Sequence, residues 1–450
     1  MSNENRLVSL DVFRGMTIAG MVLVNNPGTW AHIYDPLEHA SWHGLTPTDW
    51  IFPFFLFIVG VAIPIALGKR VAEGVTAKVY SKIVSRSAMI FAIGLLMSVI
   101  PFFQFAATDA PDWSKMLIWI AMTGGLLFLL LRNFKLASVL IGLGIAGVIG
   151  LNLGGYNVVP YNFGTMRIPG VLQRIGVCYL AVSLIFLHTN WKQQAYIAVG
   201  ILLAYWAIMT MIPVPGCEVT TIDDKACNLA AWLDRTILTE AHIWRSAKVF
   251  DPEGILSTLP AIATTIAGVL TGTWLVRKDE CGMMNDGSQT ENSSFISHHS
   301  PLNKVSGLFF FGVVLLALGY VWNSYFPFNK ALWTSSYVLA TAGLALLTLG
   351  ACYWLIDIKG YKAWAKPFVI FGTNALPLFV FSGIFARMIG AYRVSGADGQ
   401  PVAVQKWVFD NVFMSVAQPV DASLLYAVCF ILLWLFLMWL LYRKNIYIKL

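Results

Sequence analysis

An all-α, polytopic bundle of about twelve transmembrane helices is the fold this sequence predicts, on three observations. Hydrophobic residues make up 58% of its 450 positions and charged residues only 12%. The mean hydropathy is +0.69. Apolar runs of about 18–25 residues recur from one end of the chain to the other, each long enough to cross a bilayer. Backbone polar groups in lipid must be satisfied internally, so only helices or a closed barrel can span. The runs are continuously apolar rather than alternating, which rejects the barrel.

Spans are expected near 7–25, 47–67, 84–101, 115–131, 136–152, 168–187, 194–212, 257–276, 304–322, 331–355, 366–388 and 421–442. The first contains Asp11 and Arg14, and no small-residue cleavage site follows it, so it is expected to remain as a helix rather than leave as a signal peptide. The second begins beside Asp49. The span at 168–187 opens with Arg167-Ile-Pro-Gly, which places Pro169 in the first turn, where its missing N–H costs nothing, and Arg174 about two turns inside. The span at 257–276 follows Asp251-Pro-Glu-Gly, a turn and helix-capping sequence. No soluble stretch is long enough for its own core, so residues 1–450 are read as one integral-membrane domain.

Basic residues fall mostly on one side of these spans. Arg6, Lys69, Arg70, Lys78, Lys82, Arg86, Arg132, Lys135, Lys192, Lys359, Lys362, Lys366, Arg443 and Lys444 share it. The other side has fewer, among them Lys115, Arg167, Lys225 and Lys330. The positive-inside rule then puts both termini in the cytoplasm. Loops at about 213–256 and 389–420 face outward, toward a periplasm if the membrane is a bacterial inner membrane. The net charge of +7 follows from this asymmetry and requires no nucleic acid. Of six cysteines, Cys217 and Cys227 share an outer loop, and a disulfide between them is expected in an oxidising compartment. Residues 228–240 of that loop suit a short amphipathic helix, and 279–303 suits a flexible linker. Phosphate loops, dinucleotide fingerprints and nucleophile elbows are absent from the sequence.

The segment 25–49 gathers amides, histidines and carboxylates at a bilayer edge, where titratable groups are costly to desolvate. His39 and His43 are four apart and share a face if helical, a spacing that alone does not make a metal site, and none is assigned. An imidazole with an ordinary pKa near 6.5 can take a proton from an attacking amine or hydroxyl, or be acylated transiently. Asp49 is placed to orient it, and Asn25 to donate to an oxyanion. The opposing reading is a set of interfacial histidines with satisfied hydrogen bonds. Asp11 and Arg14, three apart, form an ion pair or leave Arg14 for an anionic ligand. Arg174, deep in its helix, needs a carboxylate, carbonyls or a ligand, with Asp49 and Asp11 as candidate carboxylates.

Leu10-Asp-Val-Phe-Arg-Gly-Met, Val22-Leu-Val-Asn25 and His39-Ala-Ser-Trp-His-Gly-Leu-Thr-Pro-Thr-Asp49 resemble the heparan-α-glucosaminide N-acetyltransferase family. So do Arg167-Ile-Pro-Gly-Val-Leu-Gln-Arg, Pro213-Val-Pro-Gly-Cys, Phe250-Asp-Pro-Glu-Gly and Asn329-Lys-Ala-Leu-Trp-Thr-Ser-Ser-Tyr, in order over nearly the whole chain. The resemblance implies a polytopic acetyltransferase, possessing His39 and Asn25 as active-site residues, that takes acetyl-CoA from the cytoplasm and acetylates the amine of a glucosamine on the other side. Two departures stand out. His43 replaces an asparagine of the lysosomal enzyme, and the comparison leads one to expect an additional hydrophobic hairpin at about 113–155 and no N-terminal luminal domain.

On this reading Arg6, Arg14, Lys69, Arg70 and Arg174 hold the CoA phosphates, and Asp251, Glu253, His43, Trp42 and Trp333 hold the sugar. Aromatic residues at bilayer edges also serve as anchors, which is the competing role for Trp42 and Trp333. Membrane lipids are the surroundings, and a homodimer is expected from symmetry preferences and the family. The rival readings are an N-acetylglucosamine or amino-sugar transporter and an O-acetyltransferase of an outer glycan.

Overall fold

Long apolar stretches that must close their own hydrogen bonds become helices, and the computed structural model, which describes residues 7–276, 301–396 and 399–448, is built almost wholly of them. In chain order they are α1 (Val8–Asn25), α2 (Ile51–Ala72), α3 (Ala77–Val99), α4 (Asp112–Leu130), α5 (Phe134–Leu153), α6 (Val171–His188), α7 (Trp191–Met211) and α8 (Leu229–Leu238). There follow α9 (Thr258–Val276), α10 (Pro301–Asn323), α11 (Ser335–Cys352), α12 (Lys366–Thr373), α13 (Ala375–Ala391), α14 (Val404–Val408) and α15 (Pro419–Arg443). Among the described residues, 11 helices are long and apolar enough to cross a membrane. The bent pair α12–α13 makes a further span if its halves cross together.

That bend corrects the single span expected at 366–388. The chain turns by 73° at Asn374, between Gly372 and Pro377, whose missing N–H leaves the Thr373 carbonyl without a helical partner. The buried Asn374 side chain donates to the Ile446 carbonyl and accepts from the Ile448 N–H, both at 3.0 Å. The C-terminal tail therefore occupies the break and takes up polar groups that a broken helix leaves in an apolar setting.

The expected loop at 389–420 is also more ordered than its turn-rich sequence suggests. Helix α13 runs to Ala391, and a two-stranded antiparallel hairpin pairs β1 (Arg393–Ser395) with β2 (Pro401–Ala403) before α14. The span expected at 331–355 starts later, at Ser335, and its end passes into a π-helical turn, Tyr353–Ile358. Most of the linker expected at 279–303 lies outside the described residues.

Helices α1 and α2 form the middle of the bundle. Phe13 meets Phe54 with ring centroids 5.3 Å apart, and Val12, Leu56, Phe57 and Val61 are fully buried. Helix α2 lies backbone to backbone on α9. A Cβ on Gly60 would come within 2.0 Å of the Thr265 carbonyl oxygen, and one on Gly268 within 2.1 Å of that of Phe57. Only glycine permits this approach, the device by which helices associate in lipid without a hydrophobic driving force.

The hairpin α4–α5 is peripheral, with Leu143, Ile145, Ile149 and Leu153 of α5 exposed. At 22 residues, α2 is roughly 33 Å long, so the groups at its two ends are separated by about a bilayer core of 30 Å. The segment 26–50 caps one end, and Asp11, Arg14, Lys69 and Arg70 sit toward the other.

Candidate active site

The residues around His39 are not helical, so the i, i+4 face expected for His39 and His43 does not form. Short 3₁₀ turns, Asp35–Leu37 and Pro47–Trp50, flank an irregular segment, and the two imidazoles bind different carboxylates. His39 Nδ1 lies 2.7 Å from Asp49 Oδ1, while His43 Nε2 lies 2.9 Å from Asp223 Oδ1.

Asp49 is the anchor of the site. Its side chain is 1% exposed. Oδ2 accepts from the Ala40 N–H (3.2 Å), the Thr46 N–H (3.1 Å) and the Thr46 hydroxyl (3.0 Å), which leaves Oδ1 to His39. The Thr46–Asp49 pair is a capping box at the turn that starts α2, so the same carboxylate that begins the helix fixes the imidazole. The Tyr337 hydroxyl donates to the Asp49 carbonyl at 2.6 Å, which ties this turn to α11. An ionised carboxylate only accepts, so Nδ1 carries the ring proton and Nε2 presents a lone pair. The ring of His39 is 44% exposed. A base oriented by a buried acid and open on its far side is an arrangement that can accept a proton from a nucleophile.

A third group, Lys330, completes the cluster. Its Nζ is 3.0 Å from each ring nitrogen of His39 and 3.8 Å from Asp49 Oδ1. Burial pushes its pKa below the ordinary lysine value, against the opposing charges of Asp49 and Glu253. The sequence reading did not place Lys330 in the site. The available signal was a lone lysine in a short turn between two apolar spans, on the side poor in cations.

Trp42 and His43 reach in the other direction, to the loop closed by the Cys217–Cys227 disulfide, whose Cα atoms are 5.8 Å apart. Trp42 Nε1 donates to the Ile222 carbonyl at 2.9 Å, and its ring meets Phe250 edge-on at 5.1 Å. Asn329 Nδ2 faces His43 Nδ1 at 3.4 Å, so this loop, the His39 segment and the turn before α11 are joined.

Asp251 and Glu253 are held by Arg167. Its Nε and Nη2 donate to Asp251 at 2.9 and 2.6 Å, and Nη2 also donates to Glu253. Burial alone would lower the Arg167 pKa, but the bonds to Asp251 and both negative charges raise it above its ordinary value. The turn is braced from α8, which forms within the expected amphipathic stretch. Asp234 Oδ1 accepts the Ile255 N–H at 2.8 Å, and a Cβ on Gly254 would lie 1.9 Å from Asp234 Oδ2. Burial and the nearby Asp251 push the Asp234 carboxyl up to about 6, against the Ile255 bond and the charge of Arg174.

Arg174, expected to pair with Asp49 or Asp11, pairs with neither. Those carboxylates hold His39 and Arg14, the latter at 3.2 Å. Arg174 is 2% exposed. It donates to the Gly254 carbonyl and Ser257 hydroxyl, and its guanidinium lies 5.0 Å over the ring of Trp333. Trp333 is itself buried and in the left-handed region at φ 54°, with Nε1 donating to Thr264 at 3.1 Å. The structure thus separates Arg174 from Arg14, Lys69 and Arg70 and brings it to the His39 end. Lys69 is exposed and Arg70 half-buried in the last turn of α2. Arg6 lies outside the described residues. Asn25, the last residue of α1, is exposed and makes no hydrogen bond to His39 or Asp49 among the described residues; its neighbour Asn26 is the buried amide, bonded to the Val22 carbonyl at 2.8 Å.

A sequence profile described as "Heparan-alpha-glucosaminide N-acetyltransferase, catalytic" matches residues 6–311, a range that includes His39, Asp49, Arg174, Asp251 and Glu253. The chain is 25% identical over 424 residues to the heparan-alpha-glucosaminide N-acetyltransferase of Mus musculus, a match covering 84% of this chain and 53% of the mouse protein. It is 24% identical over 489 residues to the same-named protein of Homo sapiens, covering 99% of this chain and 60% of the human one. The chain therefore spans little more than half the length of these relatives.

Proposed function

The chain belongs to the heparan-α-glucosaminide N-acetyltransferase catalytic family, and on that premise we propose that it transfers an acetyl group from acetyl-CoA to the amine of a glucosamine-type sugar across a membrane. The observation that carries the proposal is the His39–Asp49 pair, an exposed imidazole whose Nδ1–H is held at 2.7 Å by a buried carboxylate.

In the reaction, the sugar amine attacks the thioester carbonyl as Nε2 of His39 takes its proton. The C–N bond forms, the C–S bond breaks, and the proton passes to the CoA sulfur. A two-step variant, in which Nε2 accepts the acetyl group first, uses the same residues and predicts ping-pong kinetics. The CoA phosphates are assigned to the opposite end, near Arg14, Lys69 and Arg70, with the pantetheine arm crossing the bundle. On the charge asymmetry of its loops, that end and both termini face the cytoplasm, in a plasma or bacterial inner membrane. Trp42 and His43 form the near wall of the acceptor site. Asp251 and Glu253, engaged by Arg167, shape that wall rather than supply free carboxylates.

The test is CoA release by purified protein with an acceptor panel of glucosamine, glucosamine oligomers and non-amino sugars. Amino sugars should release CoA, and His39→Ala should lose about 10²–10⁴-fold of the rate, the usual worth of a positioned base. Full activity in a folded His39→Ala protein refutes the assignment. Release with non-amino sugars alone favours O-acetylation, and uptake of N-acetylglucosamine without acetyl-CoA favours transport.

A further inference from the structure

Lys330 belongs to the turn between α10 and α11, far in sequence from the segment that carries His39, yet its Nζ stands 3.0 Å from both Nδ1 and Nε2 of that ring. A point equally close to both nitrogens at this range cannot lie in the ring plane, because it would overlap Cε1. The ammonium therefore sits over the face of the imidazole. It does not occupy the in-plane lone pair of Nε2, which stays open to a substrate proton, and Nζ stands beside that nitrogen at 3.0 Å.

Resting on the acetyltransferase reading, we propose that Lys330 is a second catalytic residue that stabilises the oxyanion of the tetrahedral intermediate formed beside His39. When the amine nitrogen attacks the acetyl carbon, the carbonyl π pair moves onto oxygen and the amine proton moves to Nε2. The oxyanion then accepts a hydrogen bond from Lys330, which keeps its own proton throughout. As the intermediate collapses, the C=O bond re-forms, the C–S bond breaks and His39 gives its proton to the departing sulfur. Lys330 ends as it began.

Burial lowers the Lys330 pKa, and two carboxylates oppose that loss of charge. Asp49 Oδ1 is 3.8 Å from Nζ, and Glu253 adds negative charge from the turn before α9. Arg167, held by Asp251 and Glu253, is the cation facing from beyond them. Asn25, the sequence-based candidate for this role, is exposed and unbonded to His39, whereas Lys330 touches the ring.

This role leaves a kinetic signature. Lys330→Met and Lys330→Gln are compared with wild type and Lys330→Arg by kcat and KM for acetyl-CoA. The uncharged variants should lose about 10²–10³-fold in kcat, the usual worth of an oxyanion donor. KM should change little. Lys330→Arg should recover part of the rate. Gln, which keeps a polar tip, serves if Met prevents folding. Wild-type kcat in either folded uncharged variant overturns the proposal. His39→Ala distinguishes the failures: if it is inactive while the Lys330 variants are normal, only the role of Lys330 falls, and if it is active, the underlying reading falls.

Discussion

A carboxylate withdrawn from water beside an imidazole is a costly arrangement, and at Asp49 the cost is met by three donors on one oxygen and the His39 N–H on the other. That saturation makes the imidazole a one-tautomer base, because rotation of the carboxylate would orphan buried partners at about 1–3 kcal/mol each. A second buried acid behaves differently. Asp234 is held near 6, above the ordinary value of about 3.9. Between about pH 4 and 6 the folded state therefore binds more protons than the unfolded chain, and stability falls as pH rises through that window. Asp234→Asn keeps an acceptor for the Ile255 N–H and has nothing to ionise. Thermal unfolding in detergent should show wild type losing stability relative to Asp234→Asn from pH 4 to 6; a difference between the two that is constant or runs the other way contradicts the assignment. At this scale the His39–Asp49 contact was legible from residue type and position, whereas Asp251, expected to face a sugar, is engaged by Arg167. Lys330 was not legible, since a lysine in a short outer turn carries no sequence mark of what folds onto it.

Among the elements, three loops meet over the His39 segment, and each is held by a different device. The loop after α7 is held by its disulfide and by Trp42 and His43, the turn before α9 by the Arg167 clamp and Asp234, and the turn before α11 by Asn329, Thr334 and Tyr337. Replacing Cys217 and Cys227 by serine should remove about 2–3 kcal/mol, the chain-entropy value for so short a loop. It should raise KM for the acceptor more than it lowers kcat, because Trp42 and His43 lose a fixed partner while His39 and Asp49 do not. An unchanged KM with reduced kcat would place the loop in the chemistry instead. The apolar runs made the helices legible, and an amphipathic stretch made α8 so. The break at Asn374 was missed although Pro377 follows it, and the tail at Ile446–Ile448 that fills it comes from more than seventy residues away in the chain. The hairpin after α13 was hidden for a related reason: strands of three residues are too short to display alternation.

Taken whole, the molecule is a helical bundle whose two ends carry different chemistry. A buried-acid, imidazole and lysine cluster occupies one end, and Arg14, Lys69 and Arg70 occupy the other, about one hydrocarbon thickness away. Hydropathy fixed the class and the charge bias suggested the orientation, but neither could say which loops converge. The measurement that tests the account most directly is transfer across a sealed membrane. Protein is reconstituted in one orientation in liposomes, with glucosamine on the His39 side and labelled acetyl-CoA supplied only at the Arg14 side. Labelled N-acetylglucosamine should accumulate on the His39 side with wild-type protein and fall to background with His39→Ala. Product that forms only where both reactants share the Arg14 side, or that His39→Ala forms at the wild-type rate, would contradict it.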